Sequence, residues 1–393
     1  MPDGLSRLLL RGLPLRRADR ARRRHAVSAA TSRRLMEGSE AIAEAAIAAG
    51  CRFFAGYPMT PFTELLEHLA RRLPEEGGTC INAESEIEAI GMAWGAAATG
   101  ARAATGSTGQ GLSLMQESLS EITRAEIPLV VFNMARGQGD YFQATRGGGH
   151  GDYRHIVLAP IDASEAVAHT QLAFDLADRW RHPVLVMGDY LLAHTSEAVA
   201  VERVAFDPQP SKDWAVDGSL GGSGRSRNLN PIGMEKGSKG IDPDRFWRRL
   251  QEKQDRIEAA EPRHETFATE DAELVVVAYG TVARFARYVV QELRAEGAKV
   301  GLFRPITLWP FPSEALAACT AGATRVACLE QNAGQMIDDV RLAVLGRAPV
   351  VPIGGISTDP AGFGIGRLLD AAVVRGRVEA ALAGRELDTG VVV

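Results

Sequence analysis

An acidic stretch around residue 86 is the part of the chain best suited to proton chemistry. Glu84, Glu86 and Glu88 alternate there, and a segment with the composition of a helix follows over residues 87–98. In an extended chain the three carboxylates would share one face, whereas at a helix N-terminus the helix dipole would favour their negative charge. A carboxyl group set among apolar side chains can carry a proton near neutrality. A solvated acidic turn is the alternative interpretation.

A glycine-rich segment follows the next predicted strand, which covers residues 101–105. It contains Gly109, Gln110 and Gly111, and a helix is predicted after it over residues 112–124. Because glycine allows backbone N–H groups to approach a ligand closely, these residues are candidates for binding a cofactor. The competing interpretation is an ordinary loop between a strand and a helix.

Two more candidates lie where predicted strands end. Thr60 belongs to a proline-containing turn between a strand over residues 51–56 and a helix over residues 63–73, and Arg136 follows an apolar strand over residues 128–134. Ligands of open α/β sheets bind at such strand ends. A hydroxyl beside helix N–H groups suits a carboxylate, which arginine also binds in bidentate fashion. Alternatively, Thr60 is only a helix N-cap and Arg136 only a surface ion-pair partner.

Composition narrows the class of protein. The chain has 393 residues, a length that suggests two or three domains, and 46% of its residues are hydrophobic. No apolar run is long enough to span a bilayer. The four cysteines are scattered without a CxxC pair, so the sequence supports no iron–sulfur cluster, structural zinc or other metal site of its own. We therefore expect reduced thiols in a cytoplasmic protein that does not bind a membrane.

The first 36 residues form a basic extension. Residues 1–34 contain ten arginines and only two acidic residues, Asp3 and Asp19. Three interpretations are open: a nucleic-acid-binding arm, a targeting peptide, and a translation-start artefact with the true start at Met36. We favour the artefact, expect the segment to be poorly ordered, and predict no nucleic-acid partner.

Alternating strands and helices organise the rest of the chain. The pattern predicts an α/β domain over residues 37–200 and a smaller α/β domain over residues 271–393. Residues 201–270 form a linker, with a glycine- and serine-rich part at 217–224 and one charged helix over residues 244–260. Residues 163–180 are predicted to be helical.

Several motifs occur in order along both predicted domains. They are Gly38-Ser39-Glu40-Ala41, Tyr57-Pro58-Met59-Thr60-Pro61, the acidic stretch into Gly91, Gly109-Gln110-Gly111-Leu112-Ser113-Leu114-Met115, Asp189-Tyr190, Arg304-Pro305-Ile306-Thr307-Leu308-Trp309-Pro310-Phe311-Pro312 and Asn332-Ala333-Gly334-Gln335-Met336. With these motifs the chain resembles the α subunits of 2-oxoacid:ferredoxin oxidoreductases, which are thiamine-diphosphate enzymes. The segment 139–154 is most similar to the branched-chain, 3-methyl-2-oxobutanoate branch.

The resemblance implies a fold and a site. The fold is a thiamine-diphosphate-binding, pyrimidine-type, doubly wound parallel-sheet domain followed by a smaller transketolase C-terminal-like α/β domain. Glu86 would bond N1′ of the aminopyrimidine and thereby activate the cofactor for decarboxylation of a 2-oxoacid, with Glu84 as the alternative if the match shifts by two residues. Thr60 and Arg136 would bind the substrate carboxylate, and the Gly109-Gln110-Gly111 segment would contact the cofactor.

The resemblance also implies partners. The chain has no GDG…N-type motif for the diphosphate and Mg²⁺ and no cysteine cluster, so a β subunit would supply the diphosphate half-site and an iron–sulfur cluster. γ and δ subunits, ferredoxin, coenzyme A as co-substrate and a dimer of heteromers are also expected. The family usually has a longer glycine- and proline-rich insert after the arginine, whereas Arg136 is followed almost directly by Gln138-Gly139-Asp140.

Three other functions compete with an α subunit specific for branched-chain oxoacids. The first is the same enzyme acting on 2-oxoglutarate or an aryl 2-oxoacid. The second is a non-redox thiamine-diphosphate enzyme, against which ferredoxin- and CoA-dependent activity would discriminate. The third is a non-enzymatic nucleic-acid binder that uses the basic extension, which an absence of DNA binding at low salt would dismiss.

Overall fold

The larger sheet of the protein has seven strands and is parallel apart from one edge strand. The computed structural model describes residues 33–216, 243–355, 370–385 and 387. The strands of this sheet are β2 (Phe53–Gly56), β3 (Thr79–Asn82), β4 (Ala103–Ser107), β5 (Leu129–Ala135), β6 (Ile156–Leu158), β7 (Pro183–Asp189) and β12 (Thr307–Trp309). They lie in the order β12-β6-β7-β5-β4-β2-β3, with β12 antiparallel to β6.

Helices cover both faces of this sheet. They are α1 (Gly38–Ala48), α2 (Thr63–Arg72), α3 (Glu86–Ala98), α4 (Gly109–Ala125), α5 (Tyr141–Thr145), α6 (Ala163–Trp180) and α7 (Tyr190–His194). All of β5 is buried: Leu129 and Val131 pack in the core cluster that includes α3 and α4, whereas Val130 and Phe132 pack with α1, α2 and α6. Burial on both faces explains why β5 is an unbroken apolar run in the sequence.

The order of the strands defines where a ligand can bind. β3 and β4 lie on opposite sides of β2, so the chain reverses its direction of winding between β2 and β4. The loops that leave the carboxyl ends of β2 and β4 therefore diverge and leave a crevice between them.

A smaller, five-stranded sheet forms most of the second half of the chain. Its strands are β9 (His264–Phe267), β10 (Leu274–Val277), β11 (Val300–Pro305), β13 (Arg325–Cys328) and β14 (Val350–Pro352), in the order β14-β13-β10-β11-β9. The accompanying helices are α9 (Gly280–Ala295), α10 (Ser313–Cys319), α11 (Met336–Val344) and α12 (Ala371–Leu382). The long helix α8 (Pro243–Ala260) precedes this sheet, and β1 (Arg34–Glu37) pairs with β8 (Ser196–Val199). The described residues all belong to one compact unit that begins at Arg33.

The two sheets are tied together by the segment that follows β11. After β11 the chain leaves the smaller sheet and forms β12, which pairs with β6 at the edge of the larger sheet. Arg304, at 2% exposure, donates two hydrogen bonds of 2.8 and 2.7 Å to the Glu165 carboxylate and two of 3.0 and 2.8 Å to Glu265. Both acidic partners compensate the cost of burying the guanidinium, so this part of the Arg304–Pro312 motif is structural.

Most predicted helices and strands are observed within a few residues of their predicted ends. The helix predicted over residues 163–180 is α6, and the charged helix predicted from residue 244 is α8, which begins one residue earlier. The elements that were not predicted are the strands β1, β3, β6, β8, β9, β12 and β14 and the helices α5, α7, α10, α11 and α12. The prediction of a loop over Gly109-Gln110-Gly111 is wrong, because these residues form the first turn of α4.

Some expectations lie wholly or partly outside the described residues. The basic extension is described only from residue 33, and Arg34 already belongs to β1. The predicted glycine- and serine-rich linker at 217–224 is not among the described residues. The domain boundaries at residues 36, 200 and 270 therefore stay predictions. In the described part of the chain, no helix is long and apolar enough to cross a membrane.

Three buried histidines make the fold sensitive to acid. Burial lowers the pKa of His155 to about 3 and that of His169 to about 4, and it also lowers the pKa of His182 well below its ordinary value. His155 precedes β6, is 0% exposed and contacts the Tyr153 ring edge-on at 5.2 Å between centroids. An unfolded histidine takes up a proton below about pH 6.5, whereas these folded histidines stay neutral. Their contribution is therefore fully present above about pH 6.5 and is lost as the pH falls below it.

We expect His155→Leu to reduce this acid sensitivity, because leucine has no proton to take up in the unfolded state. Between pH 7.0 and 5.5 the unmodified protein should lose about 1 kcal/mol more unfolding free energy than the variant. Chemical denaturation of both proteins at the two pH values measures the difference. Equal losses would contradict the assignment of this sensitivity to His155.

Candidate active site

The residues predicted to do chemistry lie at one edge of the seven-stranded sheet. Thr60 follows β2, Glu86 follows β3, Gly109 to Gly111 follow β4, and Arg136 follows β5. These four strands are parallel neighbours, so their carboxyl ends meet at the same edge. The loops after β2 and β4, on the two sides of the crevice, are joined where Thr108 Oγ1 donates to Met59 Sδ at 3.0 Å.

The acidic stretch forms the N-terminus of α3. Ser85 is the N-cap, and its hydroxyl oxygen accepts a hydrogen bond from the Ile87 N–H at 3.2 Å. The three carboxylates consequently do not share a face: Glu86 is 2% exposed, whereas Glu84 and Glu88 are exposed to solvent. Of the two geometries considered from the sequence, the helix N-terminus is the one observed.

The Glu86 carboxyl group accepts one hydrogen bond and lies close to the backbone of α4. Ser107 Oγ, at the end of β4, donates to Glu86 Oε1 at 2.8 Å, and Glu86 Oε2 has no hydrogen-bond partner among the described residues. A Cβ atom on Gly111 would lie 2.0 Å from Ser107 Oγ and 2.4 Å from Glu86 Oε1. Only glycine fits at position 111, and one carboxyl oxygen remains available to a ligand.

The glycine at position 109 is required for a different reason. A Cβ atom there would lie 2.4 Å from Asp140 Oδ1. Burial raises the pKa of Asp140, while hydrogen bonds from Asn133 Nδ2 at 3.0 Å and Gln143 Nε2 at 2.8 Å oppose that shift. The first turn of α4 thus packs tightly between two carboxyl groups, and its N–H groups lack intrahelical partners.

Thr60 and Arg136 meet on the outer side of the same edge. Arg136 Nε donates to the Thr60 carbonyl oxygen at 3.1 Å, so the observed contact uses the threonine backbone and not its hydroxyl. Thr60 is not the N-cap of α2, because Phe62 holds that position. Arg136 forms no ion pair within the described ranges, which leaves its two terminal nitrogens for an anion. Neither alternative interpretation of these residues is observed.

The structure groups the candidates into two clusters. Glu86 and Gly111 meet at Ser107, and Thr60 meets Arg136; Gln110 is exposed at the start of α4. Sequence reasoning missed Ser107 and Asp140. Both follow a predicted strand within a glycine-rich segment, which is the signal that could have singled them out. In the described ranges no group of three or more acidic, histidine or cysteine residues could hold a metal ion.

The chain is similar to known proteins over most of its length. Residues 44–219 match the family model described as "Pyruvate flavodoxin/ferredoxin oxidoreductase, thiamine diP-bdg", and residues 272–360 match "Pyruvate:ferredoxin oxidoreductase core domain II". Ketoisovalerate oxidoreductase subunit VorB of Methanothermobacter thermautotrophicus is 41% identical over 320 residues, which are 79% of this chain and 89% of the relative. The 2-oxoglutarate synthase subunit KorA of Methanocaldococcus jannaschii is 36% identical over 335 residues, 78% of this chain and 90% of the relative.

Solved structures show the same fold. The 2-oxoglutarate:ferredoxin oxidoreductase from Magnetococcus marinus, with 2-oxoglutarate, coenzyme A and succinyl-CoA bound, superposes with a TM-score of 0.75 at 26% identity. That match covers 90% of this chain and 66% of the other, so this chain spans about two thirds of its length. An inactive β4 tetramer of a split-gene transketolase gives a TM-score of 0.55 at 16% identity over 89% of this chain and 99% of the other, a likeness of fold alone.

The fold and the relatives define a class and a family. The class is that of the thiamine-diphosphate-binding α/β proteins. Within it, the chain belongs to the 2-oxoacid:ferredoxin oxidoreductases, enzymes of the EC 1.2.7 type, as a subunit. The predicted family, fold class and kind of enzyme are confirmed.

We expect Gly111→Ala to impair both folding and catalysis, because the new Cβ must displace Glu86 or Ser107. The variant should lose about 1–3 kcal/mol of unfolding free energy and at least about tenfold in turnover, which corresponds to about 1.4 kcal/mol in the barrier. Denaturant titration and steady-state turnover of the assembled enzyme measure the two effects.

Gly376→Ala is the matched control. Gly376 is exposed within α12, and a Cβ there would meet nothing within 4 Å. Alanine should stabilise this helix by about 0.5–1 kcal/mol and leave turnover unchanged. If Gly111→Ala behaves like this control, the lack of a side chain at position 111 is not a constraint.

Proposed function

We propose that this chain is the α subunit of a heteromeric, CoA-dependent 2-oxoacid:ferredoxin oxidoreductase that holds the pyrimidine end of thiamine diphosphate. Its reaction is the oxidative decarboxylation of a branched-chain 2-oxoacid such as 3-methyl-2-oxobutanoate to an acyl-CoA, with reduction of ferredoxin. The observation that carries the proposal is the buried Glu86 carboxyl group, fixed by Ser107 and Gly111 at the carboxyl edge of the sheet.

The residues around Glu86 fit the pyrimidine ring of the cofactor. Bound thiamine diphosphate supplies the carbanion chemistry that cleaves the bond between the carboxylate and the keto carbon. Glu86 would share a proton with N1′ of the aminopyrimidine through Oε2, and Ser107 holds the other oxygen in place. Gly109 and Gly111 let the first turn of α4 pack against Asp140, Ser107 and Glu86, and the backbone N–H groups of that turn would be available to the cofactor.

Arg136 and Thr60 form the substrate side of the site. The Arg136 guanidinium is oriented by one bond to the Thr60 carbonyl, and its charge is not neutralised by an ion pair among the described residues. Arginine binds a carboxylate with two parallel hydrogen bonds. Arg136 therefore binds the 2-oxoacid carboxylate, and the adjacent Thr60 hydroxyl adds a further donor.

A partner subunit completes the site. Ile87 and Met92 on α3 and Leu114 on α4 are 53%, 40% and 50% exposed beside the Glu86 cluster, which suits a covered interface. We assign this face to a β subunit that supplies the diphosphate half-site, Mg²⁺ and an iron–sulfur cluster. The relatives are named as subunits, which supports a heteromeric enzyme. γ and δ subunits, a dimer of heteromers, ferredoxin and a cytoplasmic location complete the proposal.

A 2-oxoglutarate-specific enzyme is the second candidate. The KorA subunits and the Magnetococcus marinus enzyme, named for 2-oxoglutarate, favour it, whereas the VorB subunit at 41% identity favours a branched-chain oxoacid. Comparing kcat/KM for 3-methyl-2-oxobutanoate, 2-oxoglutarate, pyruvate and an aryl 2-oxoacid decides between them. Our proposal requires the branched-chain substrate to rank first.

Glu86→Gln tests the proposed function directly. Glutamine keeps an oxygen that accepts from Ser107, so the variant should fold and assemble, but it cannot share a proton with N1′. We expect kcat to fall by about 10²–10⁴-fold and exchange of the cofactor C2 proton, followed by NMR after acid quench, to slow in parallel.

Glu84→Gln is the control for this substitution. Glu84 is exposed and lies two residues earlier, so its variant should keep full turnover and exchange rate. If Glu84→Gln loses activity and Glu86→Gln does not, the proton-sharing role belongs to Glu84. Unchanged exchange in both variants would reject the whole assignment.

We expect Arg136→Ala to weaken binding of the 2-oxoacid, because the substrate carboxylate loses its charged partner. KM for the oxoacid should rise by about 10–100-fold, as for loss of a charged hydrogen bond, while KM for coenzyme A stays constant. Arg248→Ala is the control, since Arg248 is 73% exposed on α8 and pairs with Asp244 on the same helix. An oxoacid KM unaffected by Arg136→Ala would remove this residue from the site.

A further inference from the structure

The loop that carries Arg136 is anchored by a buried glutamine. Gln138 lies two residues after Arg136 and is 2% exposed. Its Nε2 donates to the Tyr279 carbonyl at 3.1 Å, and its Oε1 accepts from the Gln331 N–H at 2.9 Å. Its own carbonyl accepts from Asn332 Nδ2 at 2.9 Å and from the Tyr279 hydroxyl at 3.3 Å. All of these partners belong to the second half of the chain.

The partners of Gln138 follow the ends of two strands of the smaller sheet. Tyr279 comes after β10, and Gln331 and Asn332 come after β13. β10 and β13 are parallel neighbours, so their carboxyl ends meet at one edge. This edge therefore contacts the carboxyl end of β5, and Gln138 is the residue that fills the junction.

Gln335 supplies a second anchor for the same loop. Its Nε2 donates to the Gly139 carbonyl at 2.9 Å, and its Oε1 accepts from the Phe142 N–H at 2.8 Å. Glu330 in turn caps α11 by accepting from the N–H groups of Gln335, Met336 and Ile337. The Asn332–Met336 motif therefore acts as a rigid support for the loop after β5.

The position of Arg136 depends on this support. The guanidinium has one weak tether of its own, the 3.1 Å bond to the Thr60 carbonyl at the surface. Two residues of chain span at most about 7 Å, so fixing Gln138 limits how far the Arg136 backbone can move. Displacement of a binding group by about 1 Å is enough to weaken a site strongly.

We infer that Gln138 is a positioning residue for the 2-oxoacid and that, through it, the smaller sheet sets the affinity of the enzyme for this substrate. The inference rests on the proposed role of Arg136. Gln138 does not touch the substrate; it holds the short loop so that the guanidinium meets the substrate carboxylate in one orientation.

Gln138→Ala in the assembled enzyme tests the inference. The variant removes both side-chain hydrogen bonds, and we expect KM for the 2-oxoacid to rise about tenfold, as for the loss of one to two neutral hydrogen bonds. kcat should change by less than about threefold, because no group acting in the transition state is lost. Gln251→Ala is the matched control, since Gln251 is exposed on α8 and bonds only Asp255 of the same helix; its KM should not change.

A double-mutant cycle separates positioning from a general structural role. In the Arg136→Ala background, Gln138→Ala should raise KM no further, because the group it positions is gone. An equal rise in both backgrounds overturns the inference. An unchanged KM in Gln138→Ala alone also overturns it and leaves the proposed role of Arg136 standing. If Arg136→Ala itself leaves KM unchanged, that proposed role fails first and this inference falls with it.

Gln335→Ala keeps the test decisive if Gln138→Ala does not fold. Gln335 is only half-buried, so its loss leaves fewer buried groups without partners. We expect KM for the 2-oxoacid to rise about threefold in this variant, again only when Arg136 is present. A KM equal to that of the unmodified enzyme would contradict the inference.

Discussion

The burial of one carboxyl group determines the geometry of the site. Glu86 is 2% exposed, and a buried carboxyl group is tolerated only with hydrogen-bond partners or a shared proton. Ser107 supplies one partner, and the absence of a side chain at Gly111 lets α4 approach closely enough to enclose the group. The N-termini of α3 and α4 and the end of β4 must therefore converge at one point. That convergence, beside the crevice between β2 and β4, leaves Glu86 Oε2 without a hydrogen-bond partner among the described residues.

Contacts between the two sheets hold the larger sheet, and the candidate site at its edge, against the smaller sheet. Arg304 is held between Glu165 and Glu265, Thr281 donates its hydroxyl to Asp189 at the end of β7, and Gln138 joins β5 to the loops after β10 and β13. The family motifs of the second half thus have structural explanations, although their residues bind no substrate in our proposal. They fix the edge of the larger sheet on which the substrate side of the site is built.

Local sequence patterns predicted the elements that local interactions stabilise. α6 has an N-cap at Asp162 and a long apolar face, so both its ends were predictable. β6 and β12 have three residues each, and they pair with each other about 150 residues apart, which local patterns cannot show. The loop prediction at Gly109-Gln110-Gly111 rested on the ability of a glycine-rich backbone to approach a ligand closely. In the structure these residues nevertheless form the first turn of α4, where Asp140 leaves no room for a side chain at Gly109 and Glu86 leaves none at Gly111. Glu86, Thr60 and Arg136 were found through motifs, whereas Ser107, Asp140 and Gln138 required the three-dimensional contacts.

The insertion of β12 into the larger sheet has a consequence for how the polypeptide can be divided. β12 pairs with the outer edge of β6. Without β12, β6 would be an edge strand with unpaired backbone groups. An exposed edge strand can pair with another polypeptide. A fragment that stops before residue 300 would contain nearly all of the candidate active site and yet lack β12, so it would tend to self-associate. A division of the chain between its two sheets would therefore uncover β6, which β12 keeps paired in the intact chain.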